Sequence, residues 1–153
     1  MGSTITTTED QVHARAMSTL ATELAAYRAI PLMYDLLPAG TRADAHTAYA
    51  VAVLHSEPLT DRVRQMGRAV QIRSRVGVRI QMRVRAGKQT DDYQTALAAG
   101  SAVRAALVTQ ASIETTHGPQ AWRWDSSDHR GVADGTGVLI EQIYTVEHRI
   151  TSV

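Results

Sequence analysis

The clearest pattern of hydrophobic and polar positions lies between Val70 and Arg85. Apolar residues and one serine occupy the even positions, while glutamine, glycine and arginine occupy the odd ones, without a slip. Side chains in a strand alternate between two faces, so this period predicts a strand with one face on the core and arginines on the other. The arginines are Arg73, Arg75, Arg79, Arg83 and Arg85. The run exceeds the usual strand of about 5 to 6 residues, which predicts projection beyond the domain or a bulge at Gly77.

Helical spacing marks two other segments. Thr8 and Gln11 form a predicted capping box for a first helix, and Thr90 or Asp91 is expected to cap a second one. Each helix carries an apolar stripe at the spacing of a buried face. The stripes are Val12, Ala16, Leu20, Leu24 and Tyr27 in the first helix, and Tyr93, Leu97, Gly100, Val103 and Leu107 in the second.

Three more strands complete the predicted fold. The first runs from His46 to His55, the next holds Trp122 and Trp124, and the last spans Val138 to Ile150 with period two. The order helix, strand, strand, helix, strand, strand predicts an α+β fold with a four-stranded, mostly antiparallel sheet and two helices packed on one face. We expect residues 1–9 to be a flexible N-terminal segment and residues 10–153 to form a single domain.

The last strand should bury one face and expose the other. The inward side chains are expected to be Val138, Ile140, Tyr144, Val146 and Ile150, and the outward ones Glu141, Thr145, Glu147 and Arg149. This arrangement would place carboxylates on the sheet face that carries the arginines.

Several classes of chemistry are excluded or unsupported. The chain has no cysteine, which rules out disulfides, thiolate zinc sites and cysteine nucleophiles, and it has no apolar run of membrane-spanning length. Its six histidines are scattered without metal-ligand spacing. The polar cluster of Trp124, Asp125, Asp128, His129 and Asp134 is typical of a hairpin loop rather than an acid–base site. We therefore expect no enzyme activity, no catalytic residue, no metal and no cofactor.

The arginine-rich strand permits three interpretations. Residues 68–88 hold six arginines and one lysine without an acidic residue, although the formal net charge of the whole chain is only +1. The arginines could contact acidic groups of neighbouring subunits, neutralise nucleic-acid phosphates, or pair within the subunit with Glu141 and Glu147 while the rest are solvated. Two carboxylates cannot match five arginines, so assembly is the favoured interpretation. An RNA-binding sheet is disfavoured because the strand lacks aromatic residues.

The order of these segments resembles the tail terminator or neck proteins of long-tailed phages, including those labelled minor capsid proteins. The resemblance covers about residues 10 to 150. It is carried by Arg-Ile-Gln-Met-Arg-Val-Arg (79–85), the turn at Ala86-Gly87, and Asp-Tyr-Gln-Thr-Ala-Leu (92–97). It continues through the tryptophan-bearing strand, a hairpin, and Ile-Glu-Gln-Ile-Tyr-Thr-Val (140–146). The basic strand is longer here than in the family.

This resemblance implies a structural protein without catalysis. Family members form hexameric rings that cap the tail tube, stop its polymerisation and join the tail to the head connector. The implied partners are other copies of the chain, the tail tube protein, the head connector or completion protein, and DNA passing through the lumen without sequence-specific binding. The implied location is the virion neck, after assembly in the host cytoplasm. A head completion or connector protein and a small nucleic-acid-binding module are the alternatives.

The resemblance also assigns roles to two groups of residues. The five arginines are expected at a subunit interface or in the lumen, and a long loop from Leu59 to Arg68 is expected to face the tube or the connector. The loop residues singled out are Leu59, Asp61, Arg62 and Arg64.

Overall fold

The computed structural model describes residues 8–29, 47–58, 70–109, 120–131 and 137–150. In chain order these ranges contain α1 (Glu9–Glu23), β1 (Arg28–Ala29), β2 (Ala48–Pro58), β3 (Val70–Arg83), α2 (Gln89–Thr109), β4 (Gln120–Gly131) and β5 (Gly137–Ile150). The strands form one sheet in the order β1-β2-β3-β5-β4, with β1 parallel to β2 and all other neighbours antiparallel. Within the described ranges, the fold is α+β, with two helices and a mixed five-stranded sheet.

The α+β class was predicted correctly, but the sheet gains the short strand β1. Arg28 and Ala29 lie opposite Ala48 and Tyr49 in parallel register. Helical spacing had extended the first helix to Tyr27, whereas α1 ends at Glu23. A strand of two residues is too short to show a period, so the sequence pattern could not reveal it.

The long strand β3 occupies the centre of the sheet. It pairs with β5 from Val70 opposite Ile150 to Arg83 opposite Gly137, and with β2 along its other side. Gly77 lies inside this continuous ladder, so the bulge expected there is absent. Strand β5 is also 14 residues long, so β3 is paired along its whole length and does not project beyond the sheet.

The apolar positions of β3 and β5 face the core as predicted, whereas Gln81 and Thr145, assigned to the other face, are buried rather than exposed. Val76, Val78 and Ile80 have no exposed surface. On β5, Tyr144 and Val146 are equally buried, and Val138 and Ile140 are nearly so. Two polar residues, Gln142 and His148, share this inward face. The two strands therefore supply the floor of the core.

Helix α1 begins as predicted and covers β2. The backbone N–H of Thr8 donates a 2.8 Å hydrogen bond to Gln11 Oε1, which is one half of the capping box. The predicted stripe of Val12, Ala16, Leu20 and Leu24 is buried in the same cluster as Tyr49 and Val51 of β2. Tyr27 is half-buried, and its hydroxyl donates to Met82 Sδ at 3.4 Å.

At the N-terminal end of α2, the residues that face the core differ from the predicted ones. The buried positions are Asp92, Ala96, Gly100, Val103 and Leu107, whereas Tyr93 is 42% exposed. The C-terminal part of the prediction is confirmed, and Tyr93 is corrected to an outward position. The cause lies at the start of the helix, where Asp92 turns inward to bind Arg85.

A close approach between α2 and β5 sets the distance between helix and sheet. Gln142 Nε2 donates to the backbone oxygen of Gly100 at 2.7 Å, and the hydroxyl of Tyr144 donates to Gln142 Oε1 at 2.7 Å. A Cβ at position 100 would lie 3.3 Å from Gln142 Nε2, tighter than ordinary van der Waals contact. A side chain at position 100 would therefore displace the Gln142 amide by a few tenths of an ångström, and in the present structure that buried amide has both ends satisfied.

Trp124 and Asp125 lie on a strand as predicted, but Asp128 and His129, which were expected in a hairpin loop, lie on the same strand β4. Asp125, Asp128 and His129 are strand residues, and all three are exposed. Asp134 lies outside the described residues. The expectation was wrong because β4 is an edge strand whose polar face looks, in sequence, like a loop.

Ile80 tests the core assignment. Replacement by alanine should lower the free energy of unfolding by about 2 to 5 kcal/mol, because a fully buried isoleucine leaves a cavity. Urea unfolding followed by circular dichroism measures the change. The exposed neighbour Arg83, replaced by alanine, should change the free energy by less than about 0.5 kcal/mol. Equal effects of the two variants would contradict the assigned facing.

Candidate assembly surface

The sheet face opposite the helices carries Arg73, Arg75, Arg79 and Arg83 of β3, and we call it the arginine face. The core cluster uses the even positions of β3, so the odd positions point to the other side. Strand register places specific side chains of β2 and β5 next to each arginine. These neighbours divide the arginines into two groups.

Arg79 forms a strong pair within the subunit. It lies directly opposite Glu141, and its Nε–H donates to Glu141 Oε2 at 2.6 Å. Each side chain is only 18% exposed, so the two charges are shielded from water. A forked guanidinium suits this contact with a carboxylate. The charge of Arg79 is therefore paired within its own subunit. This agrees with the interpretation that Glu141 pairs with an arginine of the same chain.

Arg73 lies between two carboxylates but is held loosely. Register places it opposite Glu57 on β2 and opposite Glu147 on β5. Its Nη1 is 3.8 Å from Glu57 Oε1, and both side chains are more than two-fifths exposed. Solvent-exposed pairs of this kind contribute roughly 0 to 1 kcal/mol.

Arg85 lies past the end of β3 and fastens the strand to α2. Its Nη2–H donates to Asp92 Oδ1 at 2.8 Å, and its Nε–H and backbone N–H both donate to Asp92 Oδ2, at 3.1 and 2.8 Å. Between them, Gly87 adopts a φ of +77°, which favours glycine. The side-chain hydrogen bond from Arg85, helped by the one from its backbone, lowers the pKa of Asp92 to about 2. Arg85 thus has a folding role.

Arg75 and Arg83 differ from the other three. Arg75 is exposed opposite His55 and Thr145, and Arg83 is exposed opposite Gly137. Within the described part of the chain, neither guanidinium has an ion pair. Of the five predicted interface residues, these two are the ones whose charges have no ion pair among the described residues.

The other predicted surface was the loop expected to face the tube or the connector. Leu59, Asp61, Arg62 and Arg64 lie outside the described residues.

The acidic residues of β4 differ in their contacts. Asp125 accepts hydrogen bonds from Thr145 Oγ1 and, at 3.1 Å, from Arg123 Nε. Asp128 and His129 are exposed, and register places them opposite Glu141 and Ile140. Among the residues that the structure describes, no three histidine, aspartate or glutamate side chains form a group that could hold a metal ion.

The sequence interpretation missed the surroundings of Trp124. Trp122 is buried against Tyr144, with ring centroids 6.0 Å apart, but Trp124 is 41% exposed. The guanidinium carbon of Arg104 on α2 lies 4.6 Å from the centroid of the Trp124 ring, a cation–π contact. The indole N–H donates to Ser127 Oγ at 2.9 Å. The sequence signal for this contact was Arg104, which lies four residues after Gly100 of the buried stripe on α2.

The arrangement has a relative among solved structures. A chain in the virion of a native gene transfer agent particle is similar over 90% of both chains, with a TM-score of 0.57 and 17% sequence identity. This likeness shows a shared fold. No protein-family model matches the chain, and no curated protein does. In the described ranges, neither helix is long and apolar enough to cross a membrane.

Glu141 tests the shielded pair. The change Glu141→Gln should lower the free energy of unfolding by about 1 to 3 kcal/mol, because it removes the negative charge that the largely buried guanidinium of Arg79 contacts. The matched control is Glu147→Gln on the same strand and face, which is exposed and should cost less than about 0.5 kcal/mol. Urea unfolding at pH 7 compares the two, and equal costs would mean that the Arg79 pair is no stronger than a surface contact.

Asp92 predicts a pH dependence. Its folded pKa, about 2, is below the value of about 3.9 for an unfolded chain. The carboxylate therefore adds stability that is fully present above the unfolded pKa and is lost as the pH falls through the folded one. The difference in unfolding free energy between the wild type and Asp92→Asn should be constant from pH 7 to about 5 and shrink from about pH 4 to 2. Denaturant unfolding over this range measures it; a constant difference down to pH 2 would contradict the assignment.

Proposed function

We propose that this chain is a structural subunit of a phage-like virion that forms a ring, hexameric in the resembled family, at the neck. The ring caps the tail tube, ends its polymerisation and joins the tail to the head connector. The observation that carries the proposal is the fold shared over 90% of both chains with a protein of a gene transfer agent virion. The segment order that resembles tail terminators supports it independently.

Capping requires binding without chemistry. A ring that pairs with the last tube ring on one side, and lacks on its other side the surface that a further tube ring needs, stops growth by geometry. Closed rotational symmetry repeats each contact around the ring, so a modest contact per subunit gives a stable whole. The described part of the chain offers charged surfaces for such contacts and no assembled set of catalytic groups.

The charges of the arginine face fit this role in a specific way. Arg79 and Arg85 are held by carboxylates of their own subunit, and Arg73 lies between two others. Arg75 and Arg83 are exposed, and they are the residues through which the face would contact an acidic partner surface. Such a partner could be a neighbouring subunit or the tube protein, whereas contact with DNA would place the face in the lumen.

Electron micrographs of the purified chain, alone and mixed with tail tubes, test the proposed function. Rings and tubes that are capped at one end and no longer extend are the expected result. A chain that stays monomeric on its own and leaves tube growth unchanged would overturn the proposal.

The double variant Arg75→Glu/Arg83→Glu tests the role of the arginine face. It should retain the circular dichroism spectrum and melting temperature of the wild type, because neither residue has an ion pair in the described part of the chain. It should lose ring closure or tube capping, measured by light scattering and micrographs. Lys88→Glu, an exposed charge reversal in the turn before α2, is the control and should assemble normally.

Normal rings from the double variant would show that the face is not a protein interface. In that case, loss of binding to a DNA column at low salt, compared with the wild type, would place the face in the lumen.

A further inference from the structure

The sheet has two edges that the described residues leave largely open. At one edge, β4 pairs with β5 on one side only. At the other, β1 covers only Ala48 and Tyr49 of β2, and no described strand lies beside residues 50–58 on that side. Open edges present unpaired backbone N–H and C=O groups that another strand can satisfy. The two edges have comparable length, since β2 has 11 residues and β4 has 12.

The directions of the two edge strands suit each other. β2 is antiparallel to β3, β3 to β5, and β5 to β4, so β2 and β4 run in opposite directions. A neighbouring copy that continues the sheet would therefore place its β2 antiparallel beside β4. Because the two edges are different surfaces, each copy offers one and receives the other, and such head-to-tail contacts generate rings when the rotation closes.

Both edge strands are irregular at the same level of the sheet. Val53, Val76, Tyr144 and Trp124 lie in one row across the four long strands. The register of β2 shifts just after Val53, and that of β4 just after Trp124. Bulges bend a strand and increase its twist, so the two edges are curved at matching heights.

Exposed apolar side chains accompany both edges. The large hydrophobic residues that are exposed in the described chain are Leu54 on β2, Trp124 on β4, and Tyr93 and Val108 on α2. Leu54 is 44% exposed beside the bulge of β2, and Trp124 is 41% exposed beside the bulge of β4. Pairing of the edges would bring both residues to the contact between two copies.

Charge favours a register shifted by two residues over the level one. Only shifts by an even number of residues keep each side chain on its own face of a continuous sheet. If each row of one subunit continued directly into the same row of its neighbour, His55 of the neighbour would face Arg123, because both residues lie in the row of Arg75. A shift of two residues instead places Glu57 opposite Arg123, and opposite charges across a strand pair are favourable. The same shift places His55 opposite Asp125.

We propose that copies of this chain assemble by antiparallel pairing of β4 in one subunit with β2 of the next, with Glu57 opposite Arg123. This inference rests on the proposed ring and specifies which surfaces close it. The occupant of each open edge is a second copy of the chain. Backbone hydrogen bonds supply the contact, the Glu57–Arg123 pair sets the register, and Leu54 and Trp124 are the apolar groups that it covers.

Disulfide trapping tests the contact directly. The chain has no cysteine, so the double variant Glu57→Cys/Arg123→Cys introduces the two thiols alone. Directly opposed residues of an antiparallel pair lie about 4.5 to 5.5 Å apart at Cα, within the range of a disulfide. Mild oxidation should give a ladder of covalent oligomers on non-reducing gels, ending at the ring size. Glu57→Cys/Arg130→Cys is the matched control: its thiols lie about seven residues, or roughly 23 Å, out of register, and it should give no ladder.

Each other outcome overturns the inference in a distinguishable way. Efficient dimers from Arg123→Cys alone would show that β4 edges pair with each other around a two-fold axis. Rings in micrographs without a ladder would show that the ring closes through other surfaces, which overturns the edge pairing and leaves the proposed function standing. Neither rings nor a ladder at any concentration would overturn both.

Charge reversal tests the register independently. Arg123→Glu and Glu57→Arg should each raise the protein concentration needed for half-maximal assembly by about tenfold or more, and the double reversal should return it close to the wild-type value. Circular dichroism melts confirm that each variant is folded. Single variants that assemble like the wild type, or a double variant no better than the singles, would overturn the proposed register.

Discussion

The paired ladder of β3 and β5 is the constraint on which the rest of the molecule depends. Two strands of 14 residues run side by side at the centre of the sheet, and their alternation assigns every residue to one of two faces. One face buries Val76, Val78 and Ile80 against the helices. The other brings Arg79 to Glu141 and Arg73 to Glu147. A slip of one residue would exchange the faces and bury the arginines, so the apolar pattern also fixes the arrangement of the charges.

Most of this arrangement could be predicted because β3 and β5 are regular over many residues. The period of two identified the inward side chains, and the capping residues located the start of α1. The sequence pattern was less informative where a single contact decides the local geometry. Asp92 turns α2 so that Tyr93 faces outward, and that turn depends on an arginine seven residues earlier. The strand β1 is too short for any period, and β4 has the polar composition of a loop because its outer edge faces away from the core.

The candidate site shows the same division. The sequence identified a face rich in arginine, but not which of its charges are satisfied by the subunit itself. That distinction depends on register across three strands, which places carboxylates opposite Arg73 and Arg79 and, in the described part of the chain, none opposite Arg75 or Arg83. Exposed pairs contribute little to the stability of a monomer, whereas a shielded pair such as Arg79–Glu141 is costly to break. The arginines therefore divide into some that hold the subunit together and some that can act on other molecules.

The hydrogen bonds of Gln142 have a mechanical consequence. The side chain joins the backbone of α2 at Gly100 to the hydroxyl of Tyr144 inside the layer between helix and sheet. Sliding the helix along the strands by even one residue would remove the acceptor and leave a buried amide without a partner, which costs far more than a shift between purely apolar surfaces. The contact with Gly100 therefore holds α2 at one position along the strands of the sheet.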